Sequence, residues 1–219
     1  MTTYKIQRFK MKQAKIVINN EGEVIVRAPR RKTQKSIAAF VKQNEKWIDE
    51  TSSAFRENIK KREDFLVSPE GKFLLLGTEY PVKNGEECLF DGEFFILPKG
   101  TFSEIKPELE KLYKEMADKI IRKQVEKYSE IINVRVEKIS IHSTKSRWGS
   151  CNAKKHINFC WRLVMLPIEI VDYIVVHELC HIKQLNHSQY FWKEVYNILP
   201  DYKEREEQLK EWTRKAAFW

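Results

Sequence analysis

The stretch with the clearest pattern is His177-Glu178-Leu179-Cys180-His181-Ile182-Lys183-Gln184-Leu185-Asn186-His187, which contains three of the chain's five histidines. In an α-helix, residues four apart lie on the same face, so His177 and His181 can present two imidazole nitrogens to one zinc ion. Glu178 is rotated by about 100° from His177, which places its carboxylate beside the metal rather than on it. That is the position of a catalytic general base for a zinc-activated water.

The third histidine, His187, is too far along the chain to share this helix face. It can reach the metal only if the helix ends first, and Asn186 tolerates the left-handed conformation of a helix terminus. Three histidines leave one coordination position open, whereas structural zinc sites use four protein ligands rich in cysteine. The pattern therefore favours a catalytic metal, although a structural zinc and three surface histidines remain as alternatives.

The segment before the motif, residues 167–176, is strongly apolar and predicts a buried helix that begins at Pro167. Histidine and glutamate on such a helix need polar partners, and a metal supplies them. Cys180 points away from the shared histidine face and is expected to pack in the core. Tyr173, one turn before His177, is expected to be a core residue or to donate a hydrogen bond near the site.

A second group of functional candidates is Ser146-Arg147-Trp148-Gly149-Ser150-Cys151, which lies between two predicted strands. In metallopeptidases a substrate chain commonly lies against an edge strand, and Gly149 allows close backbone approach. We therefore expect Arg147, Trp148 and Gly149 to contact substrate, with Arg162 as a second positive charge. The alternative for this segment is a tight turn with a packed tryptophan. The alternative for Arg162 is a purely structural ion pair with an Asp or Glu.

The composition is that of a folded protein without a membrane span. The chain has 219 residues, of which 42% are hydrophobic and 12% aromatic, enough for one domain or two closely packed lobes. No 18-residue apolar run and no apolar signal segment is present. Four cysteines are scattered without a C-x-x-C pair, which predicts reduced thiols and a cytoplasmic location.

The positive charge is concentrated at the N-terminal end. The formal net charge is +9, and residues 1–50 hold 12 Lys and Arg against 5 Asp and Glu, whereas residues 51–219 hold 28 against 26. The densest basic region, residues 27–35, could attract nucleic acid, nucleotides or acidic proteins, or could be a solvated surface without a partner.

Residues 1–100 predict a β-rich N-terminal lobe with one helix. Alternating β-formers predict strands in residues 4–28, with a hairpin turn at Asn19-Asn20-Glu21-Gly22. Thr33 is the predicted N-cap of a single helix that extends to about Asn58. Four short strands are predicted between residues 72 and 97.

Residues 101–219 predict a lobe in which helices flank a sheet. A long helix is expected from a cap near Ser103 to about Ile132, with an apolar stripe. Strands at 138–142 and 156–161 follow, then the histidine helix and a helical tail from about 188 to 217. The predicted stripe consists of Leu109, Leu112, Met116, Ile120, Ile121 and Val125. The fold class is therefore predicted to be α+β, with domains 1–100 and 101–219.

Taken together, these residues resemble the YgjP-like family of predicted zinc metallopeptidases, which is related to the SprT-like and WLM groups. The resemblance spans nearly the whole chain and lies in three stretches: residues 147–151, residues 158–167 with Trp161-Arg162-Leu163, and residues 175–192. It implies a zincin-like C-terminal lobe, one Zn²⁺ held by His177, His181 and His187, and Glu178 as catalytic base. Gln184 replaces the helix-ending glycine of metzincins, which separates the chain from that group.

The predicted function is therefore zinc-dependent hydrolysis, most simply of a peptide bond in a peptide or protein substrate. Three imidazoles suit zinc, although nickel, cobalt or iron could also bind. Two alternatives are a metal-dependent nucleotide hydrolase, in which Arg147 and Arg162 hold a phosphoanhydride, and a non-catalytic zinc protein associated with nucleic acid through residues 27–35.

Overall fold

The computed structural model describes residues 3–19, 22–144 and 147–216. The chain forms two compact units, Met1–Leu66 and Val67–Trp219. Asn20 and Glu21 of the predicted hairpin turn, Ser146, and the predicted helix end at Ala217 lie outside the described residues. Within the described residues, three sheets and six α-helices confirm the predicted α+β class.

The first unit contains a three-stranded sheet with the order β1-β3-β2. Its strands are β1 (Tyr4–Phe9), β2 (Lys15–Ile18) and β3 (Val24–Pro29). Strands β2 and β3 pair antiparallel, which confirms the predicted hairpin, and β1 pairs parallel with β3. Because side chains alternate along a strand, Val24 and Val26 are buried on one face and Arg27 is exposed on the other.

Two helices, and not the single one predicted, complete this unit. Helix α1 (Gln34–Gln43) has Thr33 as its N-cap, as predicted, and α2 is Glu45–Leu66. The prediction of one helix was wrong because Asn44 leaves helical geometry, with φ −107° and ψ 10°, and its side-chain amide donates to the carbonyl of Phe40. Asparagine competes with the helix in this way. The core consists of the inner sheet face and the helices: Val24, Val26, Ala28, Ile37, Val41 and Ile48.

The second unit begins with a four-stranded sheet of order β4-β5-β7-β6. The strands are β4 (Lys72–Leu75), β5 (Thr78–Gly85), β6 (Leu89–Phe90) and β7 (Phe95–Pro98), close to the four predicted strands. The Phe95 ring stacks on Tyr113 of α3 (Phe102–Ile132), with centroids 5.5 Å apart. Because this sheet packs on α3, the two units divide between Leu66 and Val67 and not at residue 100.

The N-cap of helix α3 lies two residues before the predicted cap near Ser103. Thr101 is the N-cap, and its backbone N–H donates to the Glu104 carboxylate, 2.8 Å away. Three residues of the predicted stripe, Leu112, Met116 and Ile120, are only half-buried, and Tyr113 and Ala117 are buried beside the first two. The buried face consists of Phe102, Ile105, Leu109, Tyr113, Ala117, Ile121, Val125, Tyr128 and Ile132.

A second sheet, with the order β8-β10-β9, follows α3. Its strands are β8 (Lys138–His142), β9 (Gly149–Cys151) and β10 (His156–Cys160). Strand β10 lies between a parallel β8 and an antiparallel β9, so β9 is an edge strand of this sheet. A short 3₁₀ helix, Trp161–Met165, follows β10, so this strand ends one residue before the predicted end.

Helix α4 (Ile168–Cys180) carries the start of the histidine motif. Pro167 is its N-cap and not its first residue, and Pro167 lies against Gly77, whose φ of +79° is accessible to glycine. The helix is almost wholly buried, as predicted, and Cys180 is fully buried as a free thiol.

The predicted helical tail is divided into α5 (Gln189–Ile198) and α6 (Tyr202–Ala216). The division falls at residues 199–201, where Pro200 cannot continue a helix. No helix in the described part of the chain combines the length and apolar character needed to cross a bilayer.

Candidate metal centre

The three histidines of the motif converge at the end of α4. One ring nitrogen of each of His177, His181 and His187 lies within 4.8 Å of the others. His181 is the C-cap of the helix, and its N–H donates to the carbonyl of His177 at 3.3 Å, so the one-turn spacing persists. The helix ends before His187, as its role requires.

Asn186 does not adopt the left-handed conformation that an asparagine tolerates at a helix terminus. The described non-glycine residues with positive φ are Leu76, Asn133 and Lys155. Asn186 instead accepts a hydrogen bond from the Ser188 N–H at 3.3 Å through its side-chain oxygen. The chain therefore leaves the helix through a turn directly after Cys180, several residues earlier than a cap at Asn186 would allow.

Hydrogen bonds orient the rings toward one point. The Nε2 atoms of His177 and His187 are 3.0 Å apart. The Nδ1 of His181 lies 3.0 Å from the carbonyl oxygen of Gln184, and an N–H donor there leaves Nε2 free to bind a metal. A carbonyl that fixes the tautomer of a ligand histidine is the usual outer contact of a metal site.

Burial favours the neutral form of two of the imidazoles, those of His177 and His181. Burial, followed by the neighbouring His181 and His187, lowers the pKa of His177 to about 3. Burial also lowers the pKa of His181, against an opposing hydrogen bond to the Gln184 backbone. Neutral imidazole is the form that binds a metal, so three convergent ring nitrogens, two of them on buried histidines of lowered pKa, fit a zinc ion.

Glu178 lies between α4 and the edge strand β9. Its side chain is 6% exposed, and its Oε2 atom has no hydrogen-bond partner among the described residues. Burial raises the pKa of this carboxyl to about 7, and the charge of Arg147 acts in the opposite direction. A Cβ atom on Gly149 would lie 2.6 Å from the Glu178 Oε1, so only glycine at this position leaves room for the carboxylate.

The other residues predicted to contact substrate lie on or near the loop before β9. Trp148 donates from its indole Nε1 to the Thr213 hydroxyl of α6 at 3.1 Å. The side chain of Arg147 is exposed, and its carbonyl accepts from the Thr144 hydroxyl. Arg162 donates to the carbonyl of Thr144, so it supports the backbone of this loop.

Aromatic rings surround the histidines. Phe191 of α5 stacks on His181 with centroids 4.5 Å apart, and Trp192 stacks on His187 at 5.7 Å. Tyr173 is 3% exposed and meets His177 edge-on at 6.0 Å. These rings exclude water from one side of the cluster.

Sequence reasoning missed the contribution of α6. Tyr202 stacks on Trp192 at 5.2 Å, and Thr213 holds Trp148. A cleft of about 240 Å³ adjoins this stack, lined by Trp192, Tyr202, Lys203, Glu206, Glu207 and Lys210. The sequence signal that could have indicated a separate α6 is Pro200, because it ends α5 and allows the chain to turn before α6.

Two solved structures are similar to part of this chain. The metallopeptidase zymogen abylysin of Pyrococcus abyssi is 26% identical, with a TM-score of 0.38 over 41% of this chain and 90% of its own. The metallopeptidase zymogen jannalysin of Methanocaldococcus jannaschii is also 26% identical, with a TM-score of 0.39 over 42% of this chain and 94% of its own. No curated protein matches the chain.

The family comparison covers much more of the sequence. The family described as YgjP-like, metallopeptidase domain, matches residues 12–212, a range that includes the histidine cluster, Glu178, β9 and α5. Since this match extends over far more than half of the sequence, the chain belongs to the YgjP-like metallopeptidase family.

Proposed function

We propose that this metallopeptidase binds one zinc ion through His177, His181 and His187 and uses Glu178 as its general base. The observation that carries the proposal is the convergence of three imidazole nitrogens within 4.8 Å. When bound, zinc supplies Lewis-acid chemistry, because it lowers the pKa of a coordinated water and polarises a carbonyl oxygen.

Glu178 has the properties that proton transfer at neutral pH requires. Its pKa is raised by burial to about 7, and its Oε2 has no hydrogen-bond partner among the described residues. The carboxylate accepts a proton from the water that attacks the peptide carbonyl carbon. It then delivers that proton to the amide nitrogen as the C–N bond breaks, so the carboxylate is regenerated.

The substrate is proposed to lie along β9. This strand has one edge paired with β10 and is the outermost strand of its sheet, so an extended peptide can add to its other edge. Gly149 brings the backbone of this edge directly against Glu178. Arg147 and Trp148 flank the same end of the strand, and Arg162 supports the preceding loop. Membership in a peptidase family favours peptide bonds over the nucleotide alternative.

The experiment compares wild-type protein with Glu178→Gln. The variant keeps all three histidines, so we expect its zinc content, measured by inductively coupled plasma mass spectrometry, to equal that of wild type. Cleavage of β-casein and of a fluorogenic peptide library should fall by at least about a hundredfold, the usual contribution of a general base.

Glu169→Gln is the matched control, since Glu169 is an exposed carboxylate in the first turn of the same helix. It should retain both zinc and activity. Full activity in Glu178→Gln would contradict the role of Glu178. Preparations without zinc that still cleave peptides, and that gain no activity from added zinc, would contradict the metal assignment.

A further inference from the structure

The positive charge of the chain belongs almost entirely to the first unit. Residues 1–66 hold 16 Lys and Arg against 8 Asp and Glu, a net charge of +8, whereas residues 67–219 hold 24 against 23, a net charge of +1. A fold does not require such an excess, because like charges on a small unit repel one another. The location of these basic residues within the first unit therefore indicates which ligand the unit binds.

The excess of positive charge lies outside α2, which holds only five of the sixteen Lys and Arg residues of the first unit. Six of the eight acidic residues of the first unit lie in α2: Glu45, Asp49, Glu50, Glu57, Glu63 and Asp64. The sheet has its inner face in the core and its other face in solvent. We define the outer sheet face as Lys5, Gln7 and Phe9 of β1, Lys15 of β2 and Arg27 of β3, all of which are exposed.

Two cations stand directly opposite one another on this face. In the strand register, Arg27 of the central strand pairs with Lys15 on one side and with Gln7 on the other. No described carboxylate forms an ion pair with Lys15 or Arg27, whereas Lys5 pairs with Glu23 at 2.6 Å. Like charges opposed across a sheet are destabilising, and an anion bound between them removes the repulsion.

An aromatic ring accompanies the cations. Phe9 is 45% exposed on the outer sheet face, and the Arg27 guanidinium lies 5.9 Å from the centre of its ring. Cations that follow a phosphate backbone, combined with an aromatic ring on which bases stack, are the parts of a single-strand binding surface. An acidic protein or an anionic membrane would use the cations but would not require the ring.

Arg8 of β1 holds the turn that follows β3 in an ordered conformation. Arg8 donates to the carbonyls of Pro29, Arg30 and Lys32 at 3.3, 3.2 and 2.7 Å. The exposed side chains of Arg30 and Arg31 therefore project from an ordered turn directly after β3. This turn extends the row of positive charge beyond Arg27.

From these contacts we propose that the outer sheet face binds single-stranded nucleic acid, with Lys15 and Arg27 on phosphates and Phe9 stacked on a base. The site lies wholly in the first unit and is separate from the zinc ligands and Glu178, all of which lie in the second. Its test therefore does not depend on peptidase activity.

The experiment measures binding of the full chain to labelled dT20 and U20 oligonucleotides by fluorescence anisotropy over a range of salt concentrations. The test variant is Lys15→Glu/Arg27→Glu. The matched control is Lys42→Glu/Lys60→Glu, which changes the net charge equally on exposed positions of α1 and α2. Loss of two phosphate contacts should lower the salt slope of log K by about 1.4 in the test variant, with a smaller change in the control.

Phe9→Ala tests the stacking step without changing charge, and should weaken binding to both oligonucleotides by at least about fivefold. Preference for dT20 or U20 would assign DNA or RNA as the ligand. The proposal is overturned if the two double variants lose affinity equally, if Phe9→Ala binds like wild type, or if a 20-base-pair duplex or anionic phosphatidylglycerol vesicles bind more tightly than the oligonucleotides.

Discussion

At the scale of single residues, Gly149 determines where the Glu178 carboxylate can stand. A Cβ at Gly149 would lie 2.6, 2.7 and 2.9 Å from the Oε1, Cγ and Cδ atoms of Glu178. These contacts are too short, so Gly149→Ala must displace the carboxylate. Because general-base catalysis depends on position within hydrogen-bond reach, we expect kcat to fall at least about tenfold. Zinc content should not change, since the three histidines are untouched.

The control for this prediction is Gly100→Ala. Gly100 also faces a glutamate, but the nearest atom to its added Cβ would be Oε2 of the exposed Glu104 at 3.1 Å, and its other contacts, at 3.8 Å, are ordinary. Peptide cleavage by this variant should equal that of wild type. If Gly149→Ala lost zinc together with its activity, the glycine would act on the metal ligands and not on Glu178 alone.

The pairing of His177 with His181 in the histidine cluster was predictable at this scale because its geometry is local. His177 and His181 lie one helical turn apart, and this relation follows from spacing alone. The contacts that orient the rings were not predictable, because the Gln184 carbonyl is backbone that carries no sequence signal. The stack of Trp192 on Tyr202 depends on the turn between α5 and α6, which no periodicity specifies.

At the scale of elements, a buried polar contact ties α3 to α4. The Tyr128 hydroxyl donates to Asp172 Oδ2 at 2.7 Å, and Asp172 is 9% exposed. Lys127 lies 3.9 Å from the same oxygen, and Oδ1 has no hydrogen-bond partner among the described residues. Tyr128→Phe removes the short contact to a buried carboxylate. The free energy of unfolding should therefore fall by about 1–3 kcal/mol.

Urea denaturation followed by circular dichroism measures this change. Tyr190→Phe is the control, because Tyr190 is 63% exposed and its hydroxyl should contribute little. The double variant Tyr128→Phe/Asp172→Asn removes the buried charge together with its donor and should recover part of the loss. A Tyr128→Phe protein as stable as the control would show that solvent replaces the tyrosine.

The sequence predicted elements better than their breaks. Strands β4 to β7 were predicted from short β-forming runs between glycine-containing turns. The break at Asn44 was missed because residues on both of its sides keep helical periodicity, and only the side-chain bond to Phe40 distinguishes it. On α3 the buried face includes Tyr113 and Ala117, which the predicted aliphatic stripe omitted. Tyr113 is buried because its ring packs against the rings of Phe95 and Trp161.

At the scale of the whole molecule, the sequence predicted a boundary at residue 100, whereas the compact units of the structure divide between Leu66 and Val67. Pro98-Lys99-Gly100 is a composition break, and such breaks mark turns as readily as domain limits. The sheet before it shares its core with the helix after it, through Phe73, Phe95 and Tyr113. Only the packing of these rings indicates that the sheet and α3 form one unit.

The two units should respond differently to zinc, because all three proposed ligands lie in the second. A metal that binds only the native arrangement of His177, His181 and His187 stabilises the native state. It protects every segment whose unfolding would release the metal. With free zinc at a hundred times Kd, amides that exchange through this opening should slow about a hundredfold. Hydrogen exchange measured with zinc and with EDTA should show this protection in residues 175–195 and none in β1 to β3. The variant His177→Ala/His181→Ala should lose the zinc effect in residues 175–195, because it lacks two ligands. Equal zinc protection in β1 to β3 would instead place a metal site in the first unit, and zinc protection that survives in the double variant would remove the histidine cluster as the binding site.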